Sequence, residues 1–273
     1  MQKKPTLLAI FAHPDDEAFA TGGTLAYYAS SGYRVVLACS TRGESGEIAD
    51  PTLANPESLG DVRESELRCS AHTMGFDEVF FLDYCDSGMV GTDMNKDRTA
   101  YINAPDEEVV RKLVEIIRDV KPDVVLTFEP YGMYGHPDHM AIHRHAVAAF
   151  HAAGDPDRFP AAGPPWKSGR LFYTAISISF FDNMTKLLND PDSFKDFKGS
   201  PDDQIHVDMN ISQHIQAKWD ALLCHATQFG EDNGFRKVPR EEAWKVFSHE
   251  TFTLAWPDIK PGEKLRDLFD GLG

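Results

Sequence analysis

Leu7-Leu8-Ala9-Ile10-Phe11-Ala12-His13-Pro14-Asp15-Asp16 is the segment that decides the fold of this chain. Its first six residues are continuously apolar, which is typical of a strand buried on both faces of a parallel sheet. The run stops at His13, and a helix is predicted from about Glu17 to Ser31, with Gly32 as its C-terminal cap. Residues 34–39 repeat the strand pattern. Together these segments predict a β-α-β unit.

The same alternation continues along the chain. Helices are predicted at residues 63–74, 105–121 and 138–153, and strands at residues 79–82, 123–128 and 171–178. Such alternation predicts an α/β fold, with a mostly parallel sheet flanked by helices. Ligands of these sheets bind beyond the carboxyl ends of the strands.

The connections at that edge are unusually long. We expect a single domain over residues 1–273, because α/β enzymes of this length are often one compact unit. Residues 43–62 and 84–105 are predicted as rim loops, and residues 183–203 as a polar, irregular and flexible insertion. Long loops at this edge usually build a substrate pocket.

The composition narrows the choice of partner. A formal net charge of -16 would repel nucleic acid and anionic membranes. No apolar stretch approaches the roughly 20 residues needed to span a bilayer. We therefore expect a cytoplasmic protein that acts on a small molecule, and the sequence leaves a homo-oligomer open.

The four cysteines lie at positions 39, 69, 85 and 224, without C-x-x-C spacing. Three of them fall in apolar or element-like contexts, where a free cysteine behaves as a small hydrophobic residue. We predict free thiols rather than disulfides.

Two motifs, His13-Pro14-Asp15-Asp16 and His136-Pro137-Asp138-His139, follow predicted strands. Strand ends of a parallel sheet share one edge, so the motifs should meet there. A catalytic zinc site takes about three nitrogen or oxygen ligands and leaves a position open for water. A lone loop histidine is more often a surface residue, but two such clusters favour a metal site. Several imidazoles suit zinc or iron better than magnesium.

Further carboxylates and one histidine of the motifs remain once two histidines and one carboxylate are chosen as ligands. Asp15 would face the open metal position and take a proton from bound water. The remaining histidine would stabilise an oxyanion or protonate the leaving amine, with Asp138 fixing its tautomer. Helix capping is an equally good interpretation of both aspartates. Spacing alone leaves the ligand set undecided.

The two motifs, together with Gly22-Gly23 and Tyr134-Gly135, resemble the LmbE-like/PIG-L family of zinc N-acetylglucosamine deacetylases. The resemblance runs from about residue 6 to 228 and includes the segments 41–44, 63–67, 82–86 and 218–228. It implies a Rossmann-like sheet between helix layers, a three-layer α/β/α arrangement.

The resemblance also implies a role for each site residue. His13, Asp16 and His139 would bind zinc (Zn²⁺), with Fe²⁺ as the other candidate metal. Asp15 would be the general base, and His136 the acid or oxyanion group.

Three further roles follow from the same resemblance. Asp138 would support His136, and Tyr134 would move over the reacting carbonyl. Arg63 and Asp86 would contact sugar hydroxyls or an attached group.

The predicted activity is hydrolysis of an N-acyl group, an acetyl group in the family, from a small amino-sugar-like substrate by zinc-activated water. One alternative keeps the site but cleaves the amide of a thiol-sugar (mycothiol-like) S-conjugate. The other is a sugar- or metal-binding module without catalysis. It is disfavoured because no predicted catalytic position is substituted.

Overall fold

Seven strands form one sheet in the computed structural model, which describes residues 3–189, 192, 194–260 and 262–272. They are β1 (Thr6–Phe11), β2 (Arg34–Cys39), β3 (Glu78–Phe81), β4 (Val124–Thr127), β5 (Arg170–Thr174), β6 (Val207–Asn210) and β7 (His249–Trp256). Their order is β3-β2-β1-β4-β5-β7-β6. The first five are parallel, and β7 is antiparallel to β5 and β6. The predicted mostly parallel α/β sheet is confirmed, whereas the single domain stays a prediction.

Helices flank this sheet and supply most of the core that covers it. They are α1 (Asp16–Phe19), α2 (Gly22–Ser30), α3 (Leu59–Met74), α4 (Asp106–Val120), α5 (Gly132–Gly135), α6 (Pro137–Ala153), α7 (Ile178–Leu188), α8 (Ile215–Cys224), α9 (Gly234–Lys237) and α10 (Arg240–Phe247). Within the predicted loop at residues 84–105 lie two 3₁₀ turns, Asp93–Lys96 and Tyr101–Asn103. In the described part of the chain, no helix has both the length and the apolar character needed to cross a membrane.

The position of β1 determines where a ligand can bind. All six residues of β1 are buried, and the strand pairs with β2 on one side and β4 on the other. The chain runs outward from β1 to β2 and β3, and then returns to β4 on the opposite side. The carboxyl ends of β1 and β4 therefore flank the switch point where ligands of such sheets bind.

The helix predicted at about residues 17–31 is two helices, α1 and α2. The Thr21 hydroxyl donates to the Glu17 carbonyl at 2.7 Å. This side chain takes the place of the backbone N–H that would bond to the same carbonyl in a continuous helix. A new helix then begins where Gly23 N–H and Thr24 N–H donate to the Glu250 carboxylate, at 3.0 and 2.7 Å. Glu250 lies on β7, 227 residues beyond Gly23, so local sequence does not show the break.

The segment predicted as an irregular insertion, residues 183–203, begins inside α7. The prediction is wrong for residues 183–188, which are helical. Ser177 caps this helix by accepting from Phe180 N–H at 3.0 Å, and Met184 anchors it in the core. The cap and the first apolar positions of the helix precede residue 183, and the segment that starts at 183 is polar beyond residue 188, so it reads as a loop when taken alone. Residues 190, 191 and 193 lie outside the described residues.

A disulfide joins Cys69 and Cys224, with their Cα atoms 5.8 Å apart. The prediction of four free thiols is wrong for this pair, because α3 and α8 pack side by side and bring together cysteines that are 155 positions apart. Cys39 and Cys85 are free, as predicted.

We expect loss of this disulfide to lower the free energy of unfolding by about 4 kcal/mol, because the bond closes a long loop in the unfolded chain. Urea unfolding of the wild type with and without reductant measures the change, and a Cys69→Ser variant should not respond to reductant. Cys85→Ser removes a free thiol and should respond like the wild type. Alkylation of all four cysteines in urea-unfolded, unreduced protein would show that the bond is absent.

Candidate active site

The turn after β1 is held by its own carboxylates. Asp16 Oδ2 accepts from the backbone N–H groups of Ala12 and His13, at 3.1 and 2.8 Å. Asp15 adopts a left-handed conformation with φ 102°, and its N–H donates to Glu17 Oε2 at 3.0 Å. A non-glycine residue in this region is strained and persists only where its surroundings hold it. The turn therefore presents both aspartates in fixed positions.

The second motif is fixed at the start of α6. His136 is the N-cap, and its Nδ1 accepts from Asp138 N–H at 3.2 Å. The ring of His139, in the first turn, stacks on Phe128 with centroids 4.2 Å apart and planes 7° from parallel. The side chains of both histidines are therefore restricted at the start of α6.

Three donor groups converge between the two motifs. His13 Nδ1 lies 3.1 Å from His139 Nε2, which lies 3.3 Å from Asp16 Oδ1. Asp16 Oδ2 is 3.8 Å from His13 Nδ1. Ligands that share one tetrahedral zinc at 2.0–2.1 Å lie about 3.3 Å apart. The spacing of this cluster therefore fits a single metal ion.

Hydrogen bonding on the far side of each ring supports the same conclusion. His139 Nδ1 lies 3.2 Å from the Gly132 carbonyl, which can only accept, and His13 Nε2 lies 3.2 Å from Asp138 Oδ2. When these nitrogens carry the protons, the lone pairs of the other two nitrogens face each other beside a carboxylate. Only a cation, either a proton or a metal ion, makes such an arrangement favourable.

The electrostatics of the two rings differ. Burial lowers the pKa of His13, but the carboxylates of Asp86, Asp138 and Asp16 outweigh burial and raise it well above its usual value. The pKa of His139 is well below its usual value because of burial and the neighbouring His13. Without a metal, one proton on His13 lies between the two facing ring nitrogens. A divalent cation bound there would displace this proton.

Two other donor sets overlap with this cluster. His13, His136 and His139 have ligand atoms within 4.8 Å of one another, and so do His13, Asp86 and Asp138. In the second set both oxygens of Asp86 accept from backbone N–H groups, those of Ser45 and Gly88. Asp16 uses only Oδ2 in this way, and its Oδ1 faces His139. His136 remains a competitor of Asp16 for the third position. Asp16 is the stronger candidate because its charge offsets that of a cation.

Asp138 does not contact His136 as the sequence led us to expect. Its buried carboxylate faces His13 Nε2, and only its backbone N–H reaches His136. The reason is the helical start, which turns the side chain at this position toward β1. Asp138 therefore orients a candidate metal ligand, and its contact with His13 is typical of metal-binding histidines.

Asp15 lies at the edge of the cluster, with its side chain 19% exposed. Burial raises its pKa to about 6, against the opposing charge of Arg63, whose Nη2 lies 3.3 Å from Asp15 Oδ2. Arg63 also donates to the carbonyls of Pro14 and Gly43, at 2.5 and 2.8 Å. A Cβ atom at Gly43 would lie 2.0 Å from Arg63 Nη1, so the loop can approach the guanidinium only at a glycine.

The two predicted sugar-binding residues are buried and have protein partners. Arg63 donates to Asp15 as well as to the two backbone carbonyls already named. Asp86 accepts from the N–H groups of Ser45 and Gly88. Its Oδ1 lies 3.6 Å from His13 Nε2. They are placed beside the cluster, and their contact with a sugar stays a prediction.

Three supporting residues had no predicted role. His225 Nε2 lies 2.7 Å from Glu17 Oε1, and Ser70 Oγ donates to the same oxygen at 2.5 Å. Burial raises the pKa of Glu17, but His225 outweighs it, and the pKa is lowered. This buried carboxylate holds the N–H of Asp15. His225 lies in the segment 218–228 that carries the family resemblance, which was the only signal for it in the sequence.

A cavity of about 840 Å³ opens beside the cluster. Asp15, Asp16, Tyr134 and His139 form one wall. Polar side chains and seven phenylalanines line the rest among the described residues. We call the phenylalanines the aromatic lining: Phe19, Phe180, Phe181, Phe194, Phe197, Phe235 and Phe247. The Tyr134 ring lies 5.0 Å from that of His139 and 5.2 Å from that of Phe197. Tyr134 therefore stands between the cluster and the lining.

This chain is similar to known proteins in sequence and in fold. Residues 8–150 match the family described as GlcNAc-PI de-N-acetylase. A Rhodococcus opacus protein named 1D-myo-inositol 2-acetamido-2-deoxy-alpha-D-glucopyranoside deacetylase is 37% identical over 287 residues, covering 98% of both chains. N,N'-diacetylchitobiose deacetylase from Pyrococcus horikoshii matches with TM-score 0.66 at 21% identity, covering 94% of this chain and 84% of its own. A 4-carboxy-2-hydroxymuconate hydratase from Pseudomonas putida KT2440 matches with TM-score 0.62 at 19% identity, covering 94% and 98%.

Fold and site together define a class of α/β proteins with a histidine–carboxylate cluster at the switch point of a parallel sheet. The fold alone does not choose a reaction, because a deacetylase and a hydratase share it. The family match covers more than half of the chain, and the Rhodococcus relative matches nearly all of it. The chain belongs to the GlcNAc-PI de-N-acetylase (PIG-L) family, as the sequence motifs predicted.

We expect Asp138→Asn to weaken binding of a divalent transition metal about 10- to 100-fold, because the neutral amide holds the His13 imidazole less firmly. Competition with a chromogenic chelator measures the affinity. Asp106→Asn is a matched control, since Asp106 Oδ1 also faces a histidine nitrogen, His145 Nε2, at 2.9 Å outside the cluster. Equal affinities of Asp138→Asn and wild type would contradict the role of Asp138.

Proposed function

We propose that this protein is a zinc-dependent deacetylase that removes the N-acetyl group of an amino-sugar substrate. The observation that carries the proposal is the convergence of two histidine nitrogens and one carboxylate, with Asp15 beside them at the wall of a cavity. The name of the Rhodococcus relative, a deacetylase of an N-acetylated amino sugar, supports the choice of substrate.

We assign the metal to His13 Nδ1, His139 Nε2 and Asp16. Two imidazoles and one carboxylate form a donor set that suits zinc, and Fe²⁺ is the alternative with the same ligands. Three protein ligands leave a position for water, as in catalytic rather than structural zinc sites. A zinc ion bound there would polarise the amide carbonyl and lower the pKa of the attacking water.

The residues around the cluster have separate roles in the reaction. The carboxylate of Asp15, at the cavity wall, takes a proton from the attacking water and is held for this by Arg63 and Glu17. His136, whose ring centroid is 4.6 Å from that of His13, stabilises the developing oxyanion or protonates the leaving amine. Tyr134 closes over the carbonyl from the other side of His139.

The thiol-sugar amidase has no specific support, because the Rhodococcus and Pyrococcus relatives are both named as deacetylases. The same metal and base would serve either substrate. The choice between them therefore depends on the cavity rather than on the cluster.

We expect Asp15→Asn to lower kcat at least about 100-fold, because the amide cannot accept a proton. Acetate release from methyl 2-acetamido-2-deoxy-α-D-glucopyranoside by zinc-loaded enzyme measures the change, with zinc content and Tm recorded in parallel. Asp83→Asn is the matched control, because Asp83 is also a left-handed aspartate, with φ 61°, but is exposed and lies outside the cluster. Wild-type turnover in Asp15→Asn would refute the assignment of the base.

The roles of His136 and His139 are separated by their effects on metal content. We expect His139→Ala to lose stoichiometric zinc on dialysis, whereas His136→Ala keeps one zinc per chain and loses about 100- to 1,000-fold in kcat. Elemental analysis after dialysis, with chelator-treated wild type as the metal-free reference, gives the zinc content. Loss of zinc in His136→Ala would place this residue among the ligands.

A further inference from the structure

The cavity beside the cluster has an apolar interior. Its aromatic lining comes from α1, α7, α9, α10 and the segment 194–197. The rings form a connected surface, in which Phe181 lies 5.3 Å from Phe197 and Phe235 lies 5.1 Å from Phe247. Through Phe197 and Tyr134 this surface continues to His139. A group bound against the lining would therefore lie next to the reacting amide.

The lining is not a closed part of the core. Phe180, Phe181 and Phe235 are only half-buried, and their remaining surface faces the cavity. Apolar surface left open in a concave site is typical of ligand pockets.

The charged side chains of the cavity away from the cluster already have partners. Lys218 Nζ pairs with Glu250 Oε1 at 2.7 Å, and His249 Nδ1 lies 2.7 Å from Asp208 Oδ1. Lys264 donates to the Ile205 carbonyl. Against the aromatic lining, a ligand rich in hydroxyl groups would lose its hydrogen bonds to water and meet phenylalanine rings in exchange, which is costly.

We propose that the amino sugar deacetylated by this protein carries an apolar aglycone, an alkyl or aryl group, that binds against the aromatic lining. This rests on the proposed function, which assigns an acetyl group to the acyl side of the amide and so leaves the aglycone to fill the cavity. The Rhodococcus relative is named for an inositol aglycone, which is polar. This chain therefore differs from that relative in the part of the substrate beyond the sugar ring.

Three probes test the proposal. They are methyl and octyl 2-acetamido-2-deoxy-α-D-glucopyranoside, and the methyl glycoside with an N-octanoyl in place of the N-acetyl group. Each is used below the concentration at which it forms micelles. With zinc-loaded enzyme we expect kcat/KM for the octyl glycoside to exceed that for the methyl glycoside roughly 100-fold. Each fully buried methylene contributes about fourfold, so this ratio corresponds to full burial of about three of the seven additional methylenes. Calorimetry with the zinc-loaded Asp15→Asn variant gives the Kd of the same probes without turnover.

Variants of the lining identify where the octyl group binds. In Phe181→Ala and Phe235→Ala we expect the octyl-to-methyl ratio of kcat/KM, and the corresponding ratio of Kd, to shift toward one by about tenfold. Phe76→Ala is the matched control, since Phe76 is also half-buried but lies outside the cavity, and its ratio should equal that of the wild type.

The possible outcomes separate this proposal from the proposed function. Equal values for the octyl and methyl glycosides, an unchanged ratio in both lining variants, or a preference for the N-octanoyl probe would each overturn the apolar aglycone. Absence of hydrolysis on every probe would overturn the deacetylase. Calorimetry would then still decide whether the octyl group binds through Phe181 and Phe235.

Discussion

Two imidazole nitrogens face each other across 3.1 Å, with a carboxylate beside them, and the rest of the site exists to hold them in that position. Such a meeting of lone pairs is unfavourable unless a cation lies between them. The sheet supplies the necessary rigidity, because β1 and β4 are adjacent strands at its centre. One motif follows β1 directly, and the other starts α6, which the chain reaches after β4. Neither motif could keep this geometry on a mobile loop.

Buried carboxylates around the cluster determine how each ring is oriented. Asp138 holds the outer nitrogen of His13, and Asp16 ties its own turn to two backbone N–H groups. Glu17 extends the network to His225 and Ser70, which belong to distant parts of the chain. Because an unpaired buried charge is strongly destabilising, each carboxylate also requires its partner to stay in place. The network therefore favours a single arrangement of the turn that carries Asp15.

Local sequence predicted the features that depend on local physics. The apolar runs predicted β1 and β4, the pattern of residues 105–121 predicted α4, and the two motifs predicted a histidine–carboxylate cluster at one edge of the sheet. Features that depend on distant contacts were not predictable in this way. Glu250 begins α2 from β7, Cys69 meets Cys224 only because α3 packs on α8, and Asp138 turns to His13 rather than to its neighbour His136. In each case the deciding partner comes from a distant part of the chain.

The origin of the cavity walls has a consequence for how such proteins diversify. Every cluster residue lies within the first 150 positions, whereas six of the seven phenylalanines of the lining lie beyond them, as does the Glu250 that starts α2. Mutations in the second half of the chain can thus change the substrate specificity while the residues of the cluster stay the same. Divergence in the second half would give related proteins new substrates without any change in the residues that carry out the hydrolysis.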